Sequence, residues 1–243
     1  MKFLFTCVTF ITFSIISTQC KLKNDNVESN ANYPDTLIKP LEDMKPDKPV
    51  SFGYKCVWIA IKATDKEKVA TIVGVKSRST CNWSAGIEKA YEDKIFITPS
   101  VRGWTFIIGY GLPHGDNKKS IDTLKTILNN LSKEFGEAQF FGTHRVVSFV
   151  CWIKSTNGKT SRVYSYADGE NIVVEGDPTE VEKKMNLINT LSSEAKDPKY
   201  FDKEDLTMPD EEEVLKVANA WSIDPTKLEQ LKDIEPALGI LGK

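Results

Sequence analysis

The chain has 243 residues, 40% hydrophobic and 27% charged, with a formal net charge of -2 at pH 7. That hydrophobic share excludes disorder throughout, and the charged share excludes a polytopic membrane protein. Lys plus Arg number 32 against 34 for Asp plus Glu, so no basic field exists to attract nucleic acid and no such partner is expected.

The N-terminus reads as an export signal. Lys2 precedes a 14-residue stretch, 3–16, that is mostly apolar but carries Thr and Ser. A membrane-crossing helix needs about 20 largely apolar residues. Residues 1–19 are therefore predicted to be a cleaved signal peptide. Cys20 closes the apolar stretch and opens a polar one, and so resembles the modified cysteine of bacterial lipoprotein precursors, with Gln19 where Gly or Ala is common. The resemblance implies a lipid at Cys20 that attaches the exported protein to a membrane of the cell envelope. Secretion as a soluble protein is the alternative. Residues 21–50 are rich in Lys, Asp, Asn and Glu and contain Pro34, Pro40, Pro46 and Pro49. They bury too little apolar surface to offset the entropy of ordering. The expected organisation is signal peptide 1–19, lipid-attachment Cys20 with a flexible tether through 50, and a single domain over 51–243.

Within that domain, Cys56-Val57-Trp58-Ile59-Ala60-Ile61 is apolar on both faces, as in a strand inside a sheet. Thr64 and Glu67 form a capping box for a helix over 65–73, stopped by Gly74. A second helix is expected from Ser84, read as its cap, through Ile87 and Ala90. Strands are expected over 94–98 and 104–109. The clearest helix is 121–135, where Ile121, Leu124, Leu128 and Leu131 recur at three- and four-residue steps between a Ser120 cap and Gly136. Strands follow over 138–141, 146–154 and 160–166, the last two joined by Asn157-Gly158, a favoured hairpin turn. Regular pairing from Thr156 and Lys159 sets Trp152 opposite Val163. Phe149, Cys151, Ile153, Tyr164 and Tyr166 then share one face with Arg162. Thr179 with Glu182 opens another helix, Pro209 and the acids after it open one burying Val214, Val217, Ala218 and Trp221, and Asp224-Pro225 starts a last short one. The fold class is α+β, a largely antiparallel sheet packed with helices and ending in C-terminal helices. A loosely attached appendage over 178–243 is the alternative.

No motif fixes a reaction. His114 and His144 are the only histidines and stand at no zinc-ligand spacing; no C-x-x-C is present, so neither a metal nor a cofactor is expected. Cys56 and Cys151 read as small buried residues, with a disulfide between them as the minor alternative. Asn82-Trp83-Ser84-Ala85-Gly86 lacks the first Gly of a nucleophile elbow, and the glycine run 109–115 lacks the spacing of a phosphate loop. The remaining catalytic candidates are His144 as proton carrier beside Arg145, with Asp168 or Glu170 as acids. The ligand-binding candidates are His144, Arg145, Arg102 and Arg162, whose guanidinium groups would hold a carboxylate or phosphate, and Trp83 and Trp104 as surface aromatics.

Phe140-Phe141-Gly142-Thr143-His144-Arg145, the stretch from Arg162 through Tyr164 and Tyr166 to Glu170, and Ala220-Trp221-Ser222-Ile223-Asp224-Pro225 resemble a group of bacterial proteins of unassigned function. The resemblance implies one integrated domain that includes the C-terminal helices, and it implies no activity. The leading expectation is an envelope lipoprotein whose domain binds a protein or small molecule without catalysis. The alternatives are an envelope hydrolase or transferase using His144 and Arg145, and an immunity or inhibitor protein.

Overall fold

A computed structural model describes residues 44–243. The expected signal peptide, Cys20 and the tether up to residue 43 lie outside the described residues. In chain order the elements are β1 (Val57–Ile61), α1 (Lys66–Val73), β2 (Ser79–Cys81), α2 (Trp83–Ala90), β3 (Ile95–Ile97), β4 (Thr105–Ile108), α3 (Lys118–Phe135), β5 (Glu137–His144), β6 (Phe149–Thr156), β7 (Lys159–Ala167), β8 (Glu170–Glu175), α4 (Glu180–Lys183), α5 (Glu211–Trp221) and β9 (Gly239–Gly242). Short 3-10 turns at Arg145–Val147, Glu194–Lys196, Pro198–Asp202 and Pro225–Gln230 fill the connections.

All nine strands join one sheet in the order β2-β9-β3-β4-β1-β5-β6-β7-β8, and every pairing is antiparallel. The α+β class with an antiparallel sheet is therefore the observed one. Helices cover both faces. Val69 and Ala70 of α1 and Ile121, Leu124, Leu128 and Leu131 of α3 bury one face with Ile59, Phe140 and Ile153. On the other, Trp83 and Ile87 of α2 and Val214, Val217 and Ala218 of α5 pack with Trp58, Phe141 and Trp152. This second layer explains why β1 is apolar on both sides: its five residues are all buried. The C-terminal strand β9 lies between β2 and β3, so residues 178–243 are built into the body and are not an appendage.

The helix starts differ from the expected ones because a neighbouring Asp or Asn supplies the cap. Asp65, rather than Thr64, accepts the Lys68 N–H at 3.0 Å. Asn82, rather than Ser84, accepts that of Ala85 at 3.1 Å, and Asn117, rather than Ser120, accepts from Ser120 itself at 2.9 Å. Residues 44–50, expected in the tether, pack on the body. The Asp47 carboxylate accepts from Trp83 N at 2.6 Å and Ser84 N at 2.9 Å, and Asp47 bridges Ala237.

The β6–β7 register also departs from the regular one. Thr156 faces Lys159 and Asn157-Gly158 makes the turn with φ of 49° and 82°, as expected. A bulge at Ser161, whose hydroxyl donates to the Lys154 carbonyl at 3.2 Å, then shifts the pairing by one residue. Trp152 consequently faces Tyr164, and Val150 faces Tyr166. Arg162, Tyr164 and Tyr166 lie on the Trp152 face, opposite to Phe149, Cys151 and Ile153.

Candidate functional site

The adjacent strands β4, β1, β5, β6 and β7 end or begin at one side of the sheet, and there they leave a cleft of about 410 Å³. Cys56 and Val57 at the start of β1, Thr143 and His144 at the end of β5, Val147 and Phe149 entering β6, and Ala167 and Asp168 leaving β7 form one part of its wall. Tyr110, His114 and Asp116, from the connection between β4 and α3, form the rest. Two glycines bring that connection down onto the sheet. Gly115 has φ of 79°, and a Cβ there would stand 3.0 Å from Cys151 Sγ. A Cβ on Gly142 of β5 would stand 3.3 Å from the His114 carbonyl oxygen and 3.1 Å from the Phe149 ring. The Ser165 hydroxyl donates to the Gly115 carbonyl at 2.9 Å, and the Gly115 N–H donates to Ser120 Oγ at 2.7 Å. The Tyr110 hydroxyl donates to the Lys55 carbonyl, and its ring meets the His114 imidazole edge-on at 5.6 Å. Asp168, with φ of 50°, and Gly169 make the tight β7–β8 turn.

The cleft is mostly apolar, and its charged lining is acidic. Asp116 and Asp168 belong to it, and no Lys or Arg does. Neither carboxylate enters an ion pair among the described residues; Asp116 accepts one hydrogen bond from Asn117 Nδ2 at 2.8 Å. His144 Nδ1 is buried without a partner, and His114 Nε2 lies 3.4 Å from the Tyr110 carbonyl. No imidazole is hydrogen-bonded to a carboxylate there, so neither histidine is set up as a relayed base. The nucleophile types present are also engaged or suppressed. The Thr143 hydroxyl donates to Glu211 Oε1 at 3.1 Å. Burial pushes the Cys56 thiol up to about 12 against hydrogen bonds from Tyr91 and the Gly53 backbone, which leaves almost no thiolate near neutrality. Among the described residues no cluster of three His, Cys, Asp or Glu side chains is arranged to hold a metal ion.

Of the residues singled out from sequence, the structure brings His144 and Asp168 together in this cleft. Arg145 is exposed in the 3-10 turn outside the lining, and Glu170 is exposed at the start of β8. Arg102 is exposed in the β3–β4 turn. Trp83 is not a surface aromatic: it is 1% exposed and packs edge-on against Phe96 at 5.9 Å. Trp104 is half-buried against the core beside that same turn. Arg162 is not free for a ligand. It is buried, with Nε donating to Glu182 Oε1 at 2.8 Å and Nη1 to the Gly176 carbonyl at 2.8 Å. Cys56 and Cys151 are free thiols belonging to the cores on opposite faces. An arginine-lined anion site is thus replaced by an acidic cleft. Tyr110, His114 and Asp116 were missed, although the glycines at 109, 111 and 115 carried a signal: glycine where a loop must touch a sheet.

Compared with protein-family models, curated proteins and solved structures, the chain matches none.

Proposed function

We propose that this protein is an exported lipoprotein of the cell envelope, anchored through lipid on Cys20, whose α+β body binds a ligand in the strand-end cleft without turning it over. The supporting observation is the cleft itself: about 410 Å³, mostly apolar, with a few polar groups but a Thr143 hydroxyl tied to Glu211 and a Cys56 thiol held protonated. Such a lining can orient and desolvate a ligand, and it has no activated nucleophile. The anchor is supported by the signal pattern and by Cys20 at its end. Among the described residues no helix is long and apolar enough to cross a membrane.

The test is to purify the full chain from native membranes in mild detergent and analyse both the Cys20 peptide and the bound small molecules by mass spectrometry. A diacylglyceryl mass on Cys20, with a compound that co-purifies with the wild type and not with Tyr110→Ala, is the expected result. A lipid-free mature chain in the culture supernatant removes the anchor. The enzyme reading keeps one point in its favour, the joint presence of His144 and Asp168 in the lining. Substrate turnover lost in a folded His144→Ala variant would replace binding by catalysis. A stoichiometric protein partner would favour the immunity or inhibitor reading.

A further inference from the structure

We propose that the cleft takes an organic cation, an amine or guanidinium carried on a short apolar stem. This rests on the cleft being a binding site and assigns the chemistry of what it binds.

The sign of the lining carries the inference. Asp116 reaches the cleft from the β4–α3 connection and Asp168 from the β7–β8 turn, so acid is supplied from two separate elements, with no lining Lys or Arg to neutralise it. Some other surface carboxylates are paired within the chain: Glu175 with Lys125 at 2.6 Å, Asp93 with Lys243 at 3.0 Å, Glu137 with Lys154 at 2.8 Å. Asp116 and Asp168 have no cationic partner among the described residues, and a bound cation would provide one. The same two charges oppose any anionic ligand.

The neutral groups fit the same occupant. The Tyr110 ring is fixed by its hydroxyl on the Lys55 carbonyl and by its edge contact with His114. A fixed aromatic ring beside carboxylates attracts a cation through its π-face. Val57, Val147, Phe149 and Ala167 supply the apolar wall for a stem. An alkyl cation meets the two acids, the ring and the apolar wall at once, whereas an apolar ligand meets only the ring and the wall.

The test uses the full lipidated chain in nanodiscs and compares three probes of one shape by calorimetry: butylguanidinium, neutral butylurea and anionic pentanoate. Butylguanidinium is expected to bind best. Each of Asp116→Asn and Asp168→Asn should weaken it by about two- to fivefold, as for exposed ion pairs. Raising NaCl to about 0.5 M should weaken it further. Both changes retain the fold by design, since Asn accepts the left-handed conformation of residue 168, and an unchanged unfolding midpoint checks this. A blocked Gly-Gly-Arg-Gly-Gly peptide identifies the source. Binding of butylguanidinium without the peptide points to a free small molecule, and binding of the peptide points to a basic side chain of a protein; either supports the cation. If butylurea or pentanoate binds as tightly as butylguanidinium, and Tyr110→Leu abolishes that binding, the cleft is a binding site and the cation assignment fails. If no probe gives a Tyr110-dependent signal, the binding-cleft reading fails with it.

Discussion

Among the described residues, the Glu182 carboxylate stands out for the number of hydrogen bonds it accepts. The residue is 2% exposed, and its carboxylate accepts from Trp152 Nε1 at 2.8 Å, Arg162 Nε at 2.8 Å, Thr179 N at 2.8 Å and Thr179 Oγ1 at 2.7 Å. It therefore ties α4 to β6 and β7 while neutralising a guanidinium that is itself 4% exposed. Breaking a buried pair on one side costs more than removing both partners, because a lone buried charge keeps its desolvation penalty. Glu182→Ala is accordingly expected to lose about 3–5 kcal/mol in urea unfolding. The double variant Glu182→Leu with Arg162→Met should lose clearly less. Equal losses for the two would mean that Arg162 is not held by this carboxylate. The Arg162 partner could not be read from sequence. The Thr179–Glu182 box marks a helix start, but nothing local says that the same carboxylate also closes on a β7 arginine.

At the scale of elements, α2 meets the sheet through two glycines around one ring. A Cβ on Gly86 would lie 2.4 Å from Phe96 Cδ2, and one on Gly239 of β9 would lie 2.5 Å from Phe96 Cε2. Alanine at 86 improves helix propensity by up to about 1 kcal/mol, yet overpacking costs about 1–3 kcal/mol, so Gly86→Ala should be net destabilising. Adding Phe96→Leu should recover part of the loss, a coupling that a double-mutant cycle of unfolding free energies reads directly. A second prediction concerns the start of the same helix. Asp47 accepts from Trp83 N, Ser84 N and Ser84 Oγ at 2.6, 2.9 and 2.7 Å, so Asp47→Ala should cost about 1 kcal/mol in thermal unfolding, the usual worth of a cap. An unchanged midpoint would show that Asn82 alone suffices. These contacts mark the limit of local reading. α3 is legible because its stripe is periodic within the helix, and the Asn157-Gly158 turn is legible because two adjacent residues set it. β9, with the sequence Gly-Ile-Leu-Gly, takes both of its sheet partners from strands far earlier in the chain, and it has no periodicity long enough to detect. The Ser161 bulge reverses the face of every later β7 residue without altering the turn.

At the scale of the whole molecule, the cleft arises from strand order: β1 and β5 become neighbours only after β4 and α3 have intervened, so His144 and Asp168 were visible as residues and their meeting place was not. The same topology puts thiols into both cores, Cys56 and Cys81 on one face of the sheet and Cys151 on the other. Burial raises all three, Cys56 to about 12 and Cys81 to about 11 from an ordinary 9.0, with Asp47 adding to the rise at Cys81. A raised pKa means that the folded protein keeps protons that the unfolded chain releases. Folding stability is then fully present below pH 9 and falls as pH climbs from 9.0 towards 11 to 12, by about 1.4 kcal/mol per pH unit for each thiol titrating only in the unfolded chain. Urea midpoints measured at pH 8, 9 and 10 should therefore be level and then drop. Cys56→Ala should make the alkaline limb shallower by one thiol's share, while Cys151→Ala does the same from the opposite core. Buried Tyr164, also raised by desolvation, extends the decline above pH 10 and remains in both variants. A midpoint that stays flat through pH 10 would mean that the thiols reach solvent in the folded state. Parallel flattening by the two alanine variants would show that both faces of the sheet unfold in one transition.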